Sequence, residues 1–130
     1  MATSAVQLDI SVTEEKILAA IERIVEAANP IRIIAFGSRA RGDFRPHSDL
    51  DLAVIVDHLD PNAKRPVTRS TLGGISMSID LLVFDHARHE HMRRMLGSVN
   101  DEIDLHGIVL YNREDAERTD RAAIARLVGR

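Results

Sequence analysis

The sequence contains no cysteine and no tryptophan. The missing thiols exclude disulfide staples and every thiolate metal site. They agree with a reducing compartment, so a cytoplasmic location is the expectation. Aromatic residues make up only 3% of the chain, too few for the stacking platforms that hold single-stranded nucleic acid. Positive charge is not in excess either. The 17 Lys and Arg stand against 20 Asp and Glu, a net charge of −3, which argues against a general phosphate-backbone binder. No apolar run approaches the roughly 20 residues of a membrane span. The stretch Met1–Ile10 lacks the basic residues and apolar core of a secretory signal. Neither a membrane nor direct nucleic-acid contact is therefore expected.

What is present suffices for one folded unit. A chain of 130 residues, 45% of them hydrophobic, buries roughly two-thirds of its unfolded surface without staples. We read residues 1–10 as a flexible arm and 11–130 as a single domain. Ser11-Val12-Thr13-Glu14 fits a capping box, and Ile17, Leu18, Ile21, Ile24, Val25 and Ala28 recur at helical spacing up to Asn29-Pro30. Strands are expected at Ile31–Phe36, Leu50–Val56, Ile75–Phe84 and Ile108–Tyr111. The polar stretch Gly37–Ser48 reads as a loop, and a short helix is expected to end at Gly73-Gly74. Asp85 is placed to cap a helix over 86–96, broken at Gly97-Ser98, with a shorter helix over 99–106. A last helix is expected over 114–128, with Ala116, Ala123, Ile124 and Leu127 on one face. Interleaved helices and strands predict an α/β or α+β fold with a small mixed sheet flanked by helices.

The second strand carries the first chemical signal. It opens Asp49-Leu50-Asp51-Leu52, and side chains alternate faces with period two. Leu50, Leu52, Val54 and Val56 then enter a core, while Asp49 and Asp51 share the other face. Two like charges roughly 6–7 Å apart repel by about 2–3 kcal/mol at an effective dielectric near 20. Stability alone does not select such a pair, and a divalent cation reverses the sign of the interaction. In the third strand Asp80 interrupts an apolar run, and its neighbours Ile79, Leu81 and Leu82 suggest burial. A single Asp of this kind usually marks a strand end or a solvated face. If the two strands are neighbours, however, Asp80 joins Asp49 and Asp51. Three carboxylates without thiols suit a hard ion, Mg²⁺ or Mn²⁺.

Gly37-Ser38 directly follows the first strand. Glycine allows backbone to approach an anion closely, and Ser38 could cap a short helical turn from Arg39. Alone, Gly-Ser is an ordinary turn. No Gly-Lys-Ser/Thr follows, so the loop is not a Walker A motif.

The combination is more specific. Gly37-Ser38-Arg39-Ala40-Arg41-Gly42, then Ser48-Asp49-Leu50-Asp51-Leu52, then Asp80, resembles the minimal nucleotidyltransferases of the DNA polymerase beta superfamily. The likeness extends over nearly the whole chain, including the tail from Asp101 to Tyr111. It implies a polymerase-beta-like fold in which Gly37 and Ser38 hold the triphosphate of ATP. It also implies that Asp49, Asp51 and Asp80 are the catalytic carboxylates and bind two Mg²⁺ ions, with Asp80 helping to activate the attacking hydroxyl. Arg39 and Arg41 are implied as phosphate contacts. Small members of this family are often antitoxins that transfer AMP to a tyrosine of a HEPN-type ribonuclease toxin. The resemblance therefore implies such a toxin as partner. The alternatives are a binding-only antitoxin and an aminoglycoside-type small-molecule nucleotidyltransferase. The latter usually adds a helical acceptor domain, for which this chain has no residues left.

Other residues read more plainly. His86, His89 and His91 invite a zinc site, but a solvated helix start is the simpler reading. His47 reads as an exposed loop residue. Met92, Met95, Leu96 and Val99 read as a packing face, and Arg113, Arg118, Arg121, Arg126 and Arg130 as the basic side of a solvated helix.

Overall fold

The structure is a computed structural model and describes residues 9–60, 66–92 and 99–129. Helix α1 spans Glu14–Ala28. It begins where the Thr13 hydroxyl accepts a hydrogen bond from the Lys16 amide at 3.2 Å. That bond satisfies one of the orphan donors of a helix N-terminus. Ser11 is not part of this cap, contrary to expectation, because its hydroxyl donates to Asp9 instead. Glu14 and Glu15 sit in the first turn, where carboxylates complement the helix dipole. The helix stops at Asn29, which turns left-handed with φ of 44°, and Pro30 cannot extend it. Ile17, Ala20, Ile21 and Ile24 form its buried stripe.

Four strands form one sheet: β1 (Arg32–Phe36), β2 (Leu50–Val56), β3 (Ile79–Asp85) and β4 (Ile108–Asn112), in the spatial order β3-β2-β1-β4. β1 is antiparallel to β2 and to β4, whereas β2 and β3 are parallel. The sheet is thus mixed and the fold α+β, as expected. Phe36, the last residue of β1, lies opposite Asp51. Asp51 in turn lies opposite Asp80. The end of β1 and the starts of β2 and β3 therefore meet at one end of the sheet.

Both sheet faces are covered. Leu50, Leu52, Val54 and Val56 enter the main core with the α1 stripe and with Ala123, Ile124 and Leu127 of α5 (Arg121–Leu127). Ala53 and Ile55 face a second cluster with Ile34, Phe36 and Ile103 of α4 (Val99–His106). Along β3 the same alternation sends Ile79, Leu81 and Val83 to the first core and Leu82 and Phe84 to the second. Helix α3 (His86–Met92) follows β3 directly, and the Asp85 carboxylate accepts from the Arg88 amide at 2.7 Å, the expected cap. Each buried Leu or Ile contributes about 1.5–3 kcal/mol. Strand β2, covered at every position but Asp51, is the energetic spine of the fold.

Several boundaries differ from the sequence expectation. β3 begins at Ile79 rather than Ile75. The Ile75 amide instead closes a turn onto Leu72, at the end of the 3-10 segment Arg69–Leu72, with a 3.0 Å hydrogen bond. The last helix begins at Arg121 rather than 114, capped by Asp120, whose carboxylate accepts from the Ala123 amide at 3.0 Å. The preceding residues run along β4 instead. Asn112 N–H donates to Arg118 at 2.8 Å and Asp120 N–H to Leu110 at 2.8 Å, which covers a sheet edge that would otherwise be unpaired. Ala116 is left exposed. Arg113 is no part of a solvated helix. It pairs with both oxygens of Asp57 at 2.9 and 3.1 Å and donates to the Asn29 carbonyl at 3.0 Å. A register shift between Ile33 and Ile34 lets both Leu110 and Tyr111 enter the core, which simple alternation could not foresee.

The expected arm lies mostly outside the described residues. Of its last two residues, Asp9 is held by Lys16 at 2.8 Å and Ile10 accepts from the Ser78 amide at 3.2 Å. The expected helix end and break over 93–98 also fall outside the described residues.

Candidate active site

The loop after β1 is not wholly irregular. Residues Gly37–Arg41 form a short helix, α2, that closes on Gly42 at φ of 89°. Ser38 lies inside its first turn and does not cap it. Phe36 holds the cap position with no side-chain hydrogen bond. Gly37 has φ of 75°, a left-handed conformation that favours glycine. A Cβ at this position would also overlap the Asp51 carboxylate. The first residue after β1 thus lies directly against the first charged side chain inside β2.

The carboxylates gather around this contact. Asp51 is partly buried beside Asp80, on strands about 4.8 Å apart. Burial raises the Asp51 pKa above the usual carboxylate range. Asp80 and then Asp49 push it further in the same direction, and Arg41 opposes them. All three acids therefore act on one electrostatic site. Asp80 itself is exposed rather than buried, on the strand that ends the described sheet. Asp49 is exposed just before β2, and its carboxylate accepts a hydrogen bond from the Ser78 hydroxyl. Ser78 was not singled out from the sequence. The signal was there, since alternation puts it on the same face as Asp80 two residues later. Among the described residues no three His, Asp or Glu side chains converge as a ready-made metal cage.

The two arginines expected as phosphate contacts differ from each other in their surroundings. Arg39 is buried, with its guanidinium donating to the carbonyls of Ser48 at 3.0 Å, Leu127 at 2.9 Å and Pro46 at 3.3 Å. Those bonds engage the side chain within the protein. Arg41 is exposed at the site's margin, where it pairs with Asp43 at 3.3 Å and with Glu102 of α4. Its carboxylate partners raise its pKa, and its charge favours the ionised form of Asp51.

Elsewhere, His89 is buried with its ring 5.9 Å from that of Phe84, so it is not a solvated helix residue; His86 is exposed. The side chains of His91, Met92 and Val99, and all of Met95 and Leu96, lie outside the described set. A cavity of about 600 Å³ adjoins the site, lined by Ile10, Pro46, His47, Ser48 and Ser78 among others. Another of about 660 Å³ runs along β4 and the start of α5 and is lined by neither Asp49, Asp51 nor Asp80. Its size therefore carries no weight against the chemistry gathered at the strand starts. Among the described residues no helix is long and apolar enough to cross a membrane.

Comparison with known proteins gives the same picture. Residues 19–116 match the family described as polymerase beta, nucleotidyltransferase, and that span includes Gly37, Ser38, Asp49, Asp51 and Asp80. No match was found among curated proteins. Among solved structures, a candidate nucleotidyltransferase from Sulfolobus solfataricus is similar in fold, with a TM-score of 0.58. It is 17% identical, and the match covers 82% of this chain and 85% of that one. A likeness at that identity speaks for the fold alone, whereas the family match extends over well more than half of the sequence. The chain belongs to the polymerase beta nucleotidyltransferase family.

Proposed function

We propose that this protein is an antitoxin that transfers AMP from ATP to a tyrosine of a HEPN-type ribonuclease toxin and thereby neutralises it. The observation that carries the transfer chemistry is the register of Asp51 against Asp80 beside Gly37. The antitoxin assignment and the tyrosine acceptor rest on the resemblance to minimal nucleotidyltransferases.

The donor set fits a hard divalent cation. The burial and neighbouring charges that raise the Asp51 pKa would be offset by a positive ion at the site. Magnesium is usually bound through one or two carboxylates and completed by water and substrate phosphates, so a closed cage of side chains is not required. Asp49, Asp51 and Asp80 are the residues that would hold it. Two such ions supply charge neutralisation at the α-phosphate and at the departing pyrophosphate. Gly37 and Ser38 border the triphosphate in this reading. Asp80 is exposed on the strand that ends the described sheet, where this reading brings in the acceptor hydroxyl. The tyrosine oxygen forms a bond to the α-phosphorus, the bond to the β-phosphate oxygen breaks, pyrophosphate leaves, and the Asp80 side takes the hydroxyl proton.

The test is incubation with ATP, Mg²⁺ and the product of the adjacent gene, followed by mass spectrometry of that product. One or more adenylyl adducts on a tyrosine are expected, and they should be absent with Asp49→Ala or Asp51→Ala. Neutralisation that survives the double variant with no adduct would establish a binding-only antitoxin. Turnover of an aminoglycoside by the isolated chain would move the acceptor to a small molecule.

A further inference from the structure

Arg39 is 4% exposed, and the transfer chemistry gives it no part. Its guanidinium carbon lies 4.6 Å from the centre of the Phe44 ring. Nε donates to Ser48, Nη2 to Pro46 and Nη1 to Leu127, each time to a backbone carbonyl. The first two carbonyls belong to the segment that delivers Asp49 to the sheet. That segment is also closed on itself, by the Ser48 amide on the Arg45 carbonyl at 2.9 Å and the Arg45 amide on Ser48 Oγ at 2.8 Å. The third carbonyl is the last of α5, where a helix has no partner of its own to offer. One planar cation therefore joins the end of the final helix to the residue next to a catalytic carboxylate.

We propose that Arg39 is a positioning residue that sets the place of Asp49 by tying the Arg45–Ser48 turn to the C-terminal end of α5. Its catalytic consequence rests on the nucleotidyl-transfer reading above. The rigid fork of a guanidinium can serve several carbonyls in one plane while stacking on an aromatic ring, and it stays charged when buried. A lysine offers one nitrogen and no plane, so it keeps the charge and loses the span. Three roles then separate cleanly. A phosphate contact would raise KM for ATP when removed. A purely structural arginine would lower stability and leave turnover per folded molecule unchanged. A positioning residue lowers kcat and weakens cation binding with KM for ATP held.

The experiment uses the full chain as wild type, Arg39→Lys and Phe44→Leu, the last a milder loss of the ring beneath the cation. Three quantities are read: amide hydrogen exchange, Mn²⁺ binding by electron paramagnetic resonance without nucleotide, and steady-state kinetics. With Arg39→Lys the Ser48 amide should exchange about tenfold faster or more, while amides of β1 and β2 stay protected. Mn²⁺ binding should weaken, and kcat should fall on the order of 100-fold, the scale of a misplacement near 1 Å, with KM for ATP unchanged. Phe44→Leu should move each in the same direction by less. Unchanged exchange at Ser48, or a raised KM with unchanged kcat, would overturn the proposal. If the wild type transfers no nucleotide, the functional reading fails, and the exchange arm still decides whether Arg39 holds the turn.

Discussion

Asp80 stands directly opposite Asp51 across the parallel β2–β3 ladder, and Asp51 presses against the backbone of Gly37. Like charges so placed oppose folding unless a cation is present. Replacing Asp80 with Asn should therefore bring the Asp51 pKa back toward the usual carboxylate range in the cation-free protein. It should also lower nucleotidyl transfer by roughly 100-fold or more. Carboxyl-carbon NMR titration of Asp51 without Mg²⁺, alongside single-turnover kinetics, measures both. An Asp51 titration unchanged in the variant would contradict the electrostatic argument.

The raised pKa of Asp51 fixes the sign of a pH effect. A carboxyl that binds its proton more readily when folded weakens the fold above its folded pKa. That penalty is relieved as pH falls through the folded value and is gone below the unfolded one. Asp51→Asn carries no such penalty at any pH. Its stability advantage over wild type in cation-free buffer should be present at neutral pH and shrink on acidification. Urea unfolding at a series of pH values gives the gap directly.

Gly37→Ala and Gly42→Ala separate strain from collision. Both positions have positive φ, at 75° and 89°. Each substitution should cost about 1–2 kcal/mol from backbone conformation alone. A Cβ at Gly42 meets nothing within 4 Å, whereas one at Gly37 meets the Asp51 carboxylate. Gly37→Ala should therefore lose more stability than Gly42→Ala and should lose transfer activity as well. Equal losses in a denaturant titration would remove the close approach from the site description.

Tyr111 offers a gain of stability. Its hydroxyl is buried and has no hydrogen-bond partner among the described residues. An unsatisfied buried donor costs about 1–3 kcal/mol. Tyr111→Phe keeps the ring and removes the polar atom, so it should raise the unfolding free energy by about 1 kcal/mol. Thermal and urea unfolding of this variant tests the packing of β4 independently of activity.

The Asp57–Arg113 pair should show the opposite pH sign to Asp51. The hydrogen bond from Arg113 holds the Asp57 carboxyl below its usual pKa. The resulting stability is complete above the unfolded pKa and is lost as pH falls through the folded one. Asp57→Asn should thus be less stable than wild type at neutral pH, and the gap should close only in the acid range below the usual aspartate pKa. A gap that persists unchanged in acid would mean that the two groups contribute through packing rather than charge.

Period-two alternation was enough to separate the two faces of β2 and β3 and to put Asp49 and Asp51 together, although the face that carries Asp51 proved to hold a second core. Local signals also marked Asn29-Pro30 and the Asp85 cap. The parts that were not legible depend on contacts distant in sequence. Whether residues 113–120 coil into a helix or run along β4 is decided by the Asn112–Arg118 and Leu110–Asp120 bonds, which leave no trace in periodicity. The burial of Arg39 required Leu127, 88 positions away. The apolar neighbours of Asp80 suggested burial, yet that carboxylate is exposed, on the strand that ends the described sheet.

That edge has a consequence for solubility. β3 reads Ile-Asp-Leu-Leu-Val-Phe-Asp and ends the sheet, opposite the side that residues 118–120 cover. An apolar, β-prone strand with no outer strand among the described residues is a template for pairing with another chain. Charges at the flanks of such a segment act as gatekeepers. Asp80 and Asp85 occupy those flanks, so the carboxylate proposed to serve the transfer also discourages self-association, and a variant neutral at position 80 should be watched for fibrils as well as for lost turnover.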